Sequence, residues 1–100
     1  MNELLDDDGY PTMQCLNKIR RWPANDFQGM MEFIKPLWKY SSEGYWTETD
    51  IQEGIEYAIS TGGWSGNEDL LQAMGENGMF WIVCWVQARR GGHYIFEIRK

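Results

Sequence analysis

Residues 80–98 constrain this chain more than any other part of it. Residues 80–88 are apolar apart from Gln87, residues 94–98 are apolar apart from Glu97, and Arg90-Gly91-Gly92-His93 lies between the two runs. Adjacent glycines supply the positive φ angles that a two-residue type I′ turn needs, so the segment is predicted to fold back as a β-hairpin. Counting outward from that turn pairs Arg90 with His93, Arg89 with Tyr94, Gln87 with Phe96 and Trp85 with Ile98. One face then carries Trp81, Val83, Trp85, Tyr94, Phe96 and Ile98. The other carries Phe80, Ile82, Cys84, Val86 and Ala88 opposite His93, Ile95, Glu97 and Arg99. A strand apolar on both faces has to be covered on both. Either helices lie on both sides of the sheet or a second copy of the chain covers one side, which makes a homo-oligomer an expectation of the fold.

The preceding residues supply the rest of one α+β domain. Residues 1–10 are acidic and without periodicity, a loose lead-in. Thr12 is placed to cap a helix with apolar positions Met13, Leu16, Ile19 and Trp22, and Pro23 stops it. Asn25 or Asp26 caps a second helix whose stripe is Phe27, Met30, Met31, Ile34, Leu37 and Trp38, with a kink or break near Lys35 imposed by Pro36. From Gly44 the period becomes two, giving strands at residues 45–49 and 55–60 joined by an acidic link at 50–54. In Gly62-Gly63-Trp64-Ser65-Gly66-Asn67-Glu68, Ser65 and Glu68 have the spacing of a capping box. The helix that follows runs through Leu70, Leu71 and Met74 and ends near Asn77-Gly78, with Gly78 as a left-handed cap. The order is ααββαββ, with a mostly antiparallel four-stranded sheet packed with three short helices.

Composition removes several classes of function. The 100 residues are 43% hydrophobic and 15% aromatic, enough for a packed core and unlike a disordered chain. The formal net charge of -6 argues against general nucleic-acid binding, which needs a basic surface, yet leaves room for a small anion held by a local basic pocket. The N-terminus, Met-Asn-Glu-Leu-Leu-Asp-Asp-Asp, lacks the basic and then apolar pattern of a secretory signal. A cytoplasmic setting follows as the expectation, with Cys15 and Cys84 reduced and acting as small core hydrophobes. The longest apolar run, 79–86, is too short for a membrane span. With one His and no C-x-x-C spacing, no metal or other cofactor is expected.

Three features are candidates for a site. The glycine-rich turn before the third helix, with Gly63, Trp64, Ser65 and Asn67, leaves backbone N–H groups at a helix N-terminus, suited to an anion unless the capping box already satisfies them. The hairpin tip offers Arg89 and Arg90 as forks for phosphate or carboxylate, with His93 and Tyr94 beside them; the alternative is a solvated tip. In an ideal strand the two arginines point to opposite faces, Arg89 with Tyr94 and Arg90 with His93, so a bulge or a dimer interface would be needed to unite them. Tyr45, Trp46 and Trp64 fall outside the helical stripes and suit either the stacking of a flat ring or a protein-binding hot spot. Catalysis is disfavoured: Glu68 or Glu97 with His93 could in principle do acid–base work, but no motif with mechanical content accompanies them.

The string Ser60-Thr61-Gly62-Gly63-Trp64-Ser65-Gly66-Asn67-Glu68, then Phe80-Trp81, Cys84-Trp85, and Arg90-Gly91-Gly92-His93-Tyr94 with Phe96-Glu97-Ile98, resembles a family of short hypothetical proteins of bacteria, prophages and phages. The resemblance is strongest over residues 60–98 and looser over 11–38, while residues 47–54 depart from the longer, basic strand pair of that family. It implies a phage or mobile-element setting and carries no established activity. Two expectations follow. One is a non-enzymatic counter-defence protein in the host cytoplasm that sequesters an anionic small molecule such as a nucleotide signal, with Arg89, Arg90 and His93 on phosphate and Trp64, Tyr94 or Trp46 on the base. The alternative is an inhibitor that docks on a host defence protein, its acidic and aromatic surface matching a basic patch.

Overall fold

A computed structural model of the chain describes residues 4–99. The first helix, α1 (Met13–Arg20), starts where Thr12 accepts a hydrogen bond from the Cys15 N–H at 3.2 Å, and it buries Cys15 and Ile19. The lead-in is tied down over its described part. Asp6 accepts from the N–H groups of Asp8 and Tyr10, and the Thr12 N–H returns to the Leu4 carbonyl. Asp26 caps α2 (Phe27–Ile34) through the Gly29 N–H, and all four apolar positions of the stripe within it are buried. Pro36 ends the α-helical hydrogen bonding as expected: the chain tightens into a 3₁₀ turn at Lys35–Leu37.

The sheet is antiparallel throughout, in the order β1-β2-β4-β3. Its strands are β1 (Trp46–Ile51), β2 (Gly54–Ser60), β3 (Trp85–Arg89) and β4 (His93–Arg99). Between β2 and β3 lie α3 (Ser65–Glu76) and α4 (Gly78–Cys84). Period-two alternation sends Trp46, Tyr57, Ile59, Phe96 and Ile98 into one core with the buried faces of the helices. The alternate positions, Thr47, Glu56, Ala58, Ser60, His93, Ile95 and Glu97, form an opposite face, and among the described residues no helix lines the cleft over it.

The expected strand from Phe80 is instead a helix. A short, continuous apolar run has no period that separates strand from helix, and the tie is broken by its neighbours. Asn77 accepts from the Phe80 N–H, capping α4, while its amide donates to the carbonyls of Ile19 and Trp22 and locks the helix start against α1. Phe80 and Cys84 are then buried at i, i+4, with Phe80 edge-on to Phe27 at 5.3 Å and tilted against Phe96 at 5.1 Å. Gly78 accordingly is not a left-handed cap. It is the first residue of α4, and its φ is not positive.

Two further expectations are corrected. Ser65 does not form a capping box with Glu68: it is already helical, and the N-cap, Trp64, makes no side-chain hydrogen bond. The final hairpin closes through three residues, not two. Gly91 and Gly92 do take positive φ, 87° and 79°, but Arg90 joins them in the loop and Arg89 pairs with His93. A bulge between Trp85 and Gln87 then places Trp85 opposite Phe96.

Candidate functional site

Residues 61–67 form a packed junction. Asn67 is fully buried: its carbonyl oxygen accepts from the Lys39 N–H at 2.8 Å, and its amide donates to the carbonyls of Lys39 and Thr61. Trp64 stacks on Tyr10 at 5.1 Å and carries the Lys39 ammonium over its ring at 4.7 Å. Ser65 donates to the Tyr10 hydroxyl. The glycine density has a packing explanation as well. A side chain at Gly66 would overlap the Trp64 ring, and one at Gly92 would overlap Thr61, whose N–H donates to the Gly92 carbonyl. Gly63 takes a φ of 75° in the turn. The side chains of Trp64, Ser65 and Asn67 are thus engaged inside the protein, while the first-turn N–H groups of α3 receive no side-chain cap. Trp46 is also in the core, edge-on to Trp38 and Tyr57, with its indole N–H donated to Glu48.

The hairpin tip is arranged differently. The pairing Arg89 with His93 and His93 with Ser60 places three strands' side chains in one row on the uncovered face, and the Ser60 N–H continues the row to the Tyr45 carbonyl. Ser60 Oγ and His93 Nδ1 are 2.5 Å apart, with donor and acceptor set by the imidazole tautomer. The Arg89 Nε–H donates to the Gln87 amide oxygen at 3.2 Å, and no ion pair involves Arg89 among the described residues. A shallow cleft of about 350 Å³ lies over this row, bordered by Gly44, Thr47, Ala58, Ser60, Arg89 and His93. Arg90 is exposed in the loop, outside the cleft lining, and Tyr94 turns its ring to the covered side, edge-on to Trp81.

The row therefore gathers a guanidinium, an imidazole and a hydroxyl, a set of donors suited to an anion. Tyr45, 37% exposed, meets its far end through the backbone, with its ring edge-on to Tyr40 and against Gly62, outside the cleft lining. Glu56 and Glu97, which face each other across β2 and β4, are the nearest acidic pair on the strands. They are set back by four residues from Ser60 and His93, about 13 Å along the strands, beyond a Debye length at physiological salt. Ser60 was not among the residues read as a site from sequence. The signal that finds it is register, since a three-residue loop places it beside His93 while nothing in its local sequence does.

The larger cavity, about 570 Å³, lies between the start of α2 and the end of α4, bordered by Asp26, Phe27, Val83, Glu97 and Arg99. Asp26 and Glu97 border it beside Arg99, which itself lies 3.8 Å from Glu53, so acidic residues outnumber basic ones around it. Both cysteines are free and buried, and burial raises each thiol to about 11, in Cys15 against the opposing pull of Lys18, which disfavours the thiolate. Tyr57 is likewise pushed up to about 12, first by burial and then by Glu48 and Glu32. Among the described residues no group of three or more His, Cys, Asp or Glu is placed to hold a metal ion, and no helix is long and apolar enough to cross a membrane. The chain matches no family model, no curated protein and no solved structure.

Proposed function

We propose that this is a non-enzymatic binding protein that holds an anionic small molecule, of the nucleotide class, on the uncovered face of its sheet. The observation that carries the reading is the row Arg89–His93–Ser60, because those donors face solvent together and make no ion pair inside the described chain. Phosphate or carboxylate oxygens would be held by the Arg89 fork, His93 and Ser60, with Arg90 close enough in the loop to add charge. The row spans two strand spacings, about 10 Å, and the cleft continues past Ser60 to Thr47 and Gly44, which leaves room for a flat ring beside the phosphate. Ser60 and His93 do not make a nucleophilic centre in this reading, since no hydrogen bond or ion pair joins His93 to a carboxylate that would orient it among the described residues. In a phage or mobile-element setting, such a protein would act by sequestering a nucleotide signal of the host's defence.

A thermal-shift screen against mono-, di- and cyclic nucleotides tests the reading, because a ligand bound only by the folded state raises its stability by mass action. At least one nucleotide should raise Tm in the native protein and fail to do so in Arg89→Ala. No shift with any of them at saturation contradicts it. A second reading, docking on a basic surface of a host protein, is favoured by the acidic side chains along the β1–β2 hairpin, Glu48, Asp50, Glu53 and Glu56. Recovery of a basic partner that β1–β2 charge reversal releases, with no nucleotide response, would favour it instead.

A further inference from the structure

The sheet's two edges are built differently. β1 carries Glu48 and Asp50 along its length, a charged edge of the kind that discourages strand addition, whereas β3, Trp85-Val86-Gln87-Ala88-Arg89, has no charge before its last residue. The uncharged stretch is longer than the strand. From Asn77 to Ala88 there is no ionisable side chain other than the Cys84 thiol, in a chain of net charge -6. Within α4, Met79, Ile82 and Val83 fall at i, i+3, i+4 on the stripe away from buried Phe80 and Cys84, and they are 55%, 82% and 63% exposed. The helix runs directly into β3, where Trp85 and Val86 are 41% and 40% exposed.

We infer that this surface is a two-fold interface at which the β3 edges of two copies of the chain pair antiparallel, with the α4 stripes packed beside them. Three observations favour a second copy. An antiparallel pair of identical strands is self-complementary, so one edge supplies both halves of the ladder. Two molecules of charge -6 repel least where each is neutral, and this is the longest neutral surface segment of the chain. β3 is also an edge strand among the described residues, paired with β4 on one side and with no strand on the other, so its outward N–H and C=O groups are open to a further strand. The size is adequate. The five exposed apolar side chains leave on the order of 500 Å² open, the upper range for a monomer's largest patch. With the β3 backbone edge, Gln87, Ala88 and Arg89 added, the surface approaches the roughly 800 Å² that each partner gives to a standard interface.

Sedimentation equilibrium of the full chain over a concentration series, with Ile82→Glu and Val86→Lys as variants, tests the inference. The native protein should be a concentration-dependent dimer. Ile82→Glu, at the most exposed of these side chains, and Val86→Lys, on the edge itself, should each weaken dimerisation about a hundredfold while leaving the circular dichroism spectrum and Tm of the monomer unchanged. Thr47→Lys, on the opposite edge strand, should leave the dimer intact. A native protein that stays monomeric throughout overturns the inference, and so does a dimer that both variants retain or that Thr47→Lys disrupts. If either interface variant fails to fold, the other decides, and slow hydrogen exchange at the outward amides of β3 in the native dimer decides independently.

Discussion

Two glycine-rich segments of this chain are alike in composition and opposite in use. Residues 61–67 and 89–93 each combine glycines with an aromatic or basic neighbour, and from sequence each is a candidate for holding an anion. In the structure the first is closed on itself. Asn67 binds Lys39 and Thr61, Trp64 is stacked on Tyr10 under the Lys39 ammonium, and Gly62 and Gly66 let the backbone pass close to the rings of Tyr45 and Trp64. The second is open: Gly91 and Gly92 serve to turn the chain so that Arg89 and His93 share a face. Glycine clusters report close approach; at residues 61–67 it serves a buried amide and a stacked ring, whereas at 89–93 the polar side chains beside the glycines stay exposed.

The difference can be broken first where it is largest. Asn67→Ala removes three buried hydrogen bonds and strands the groups they served, and it should cost about 3 kcal/mol of stability in denaturant unfolding; a loss under half that would mean the junction is not built as described. Gly92→Ala asks a residue at φ 79° to take a side chain that overlaps Thr61, so about 2 kcal/mol is expected from the same measurement. The hairpin tip should respond in the opposite sense. Arg89→Ala should change stability by no more than about 0.5 kcal/mol, yet weaken binding of a phosphate-bearing ligand at least tenfold by calorimetry, a charged hydrogen bond being worth roughly 1.5–3 kcal/mol. Ser60→Ala, which removes a neutral donor, should weaken it by a smaller factor, about fivefold. Equal losses of stability at Arg89 and Asn67 would erase the distinction between the two segments.

The sequence is legible where one signal has no competitor. Thr12 and Asp26 cap the helices they were read to cap, Pro36 ends α2, and period-two alternation in Ile55, Tyr57 and Ile59 marks β2 and its buried side. It is illegible where a decision rests on distant partners. Residues 80–84 suit strand and helix equally, and what settles them is Asn77 reaching the carbonyls of Ile19 and Trp22. The hairpin register turns on whether Arg90 pairs or joins the loop, and that one-residue change moves every side chain of β3 relative to β4. It also carries Arg89 from the neighbourhood of Tyr94 to that of His93, which neither residue's local context announces. The 80–86 run, expected as a strand apolar on both faces, leaves Ile82, Val83, Trp85 and Val86 exposed on a helix and an edge strand.

The claim that the open row, and not the closed junction, receives the anion is tested most directly by an NMR titration of the native protein with a nucleoside monophosphate. Side-chain signals separate the two segments without ambiguity from backbone proximity. The account predicts saturable shifts of the Arg89 Nε–H and the His93 ring resonances, with the Trp64 indole N–H and the Asn67 amide left in place. Shifts confined to Trp64 and Asn67, or no saturable shift at Arg89 and His93, would contradict it.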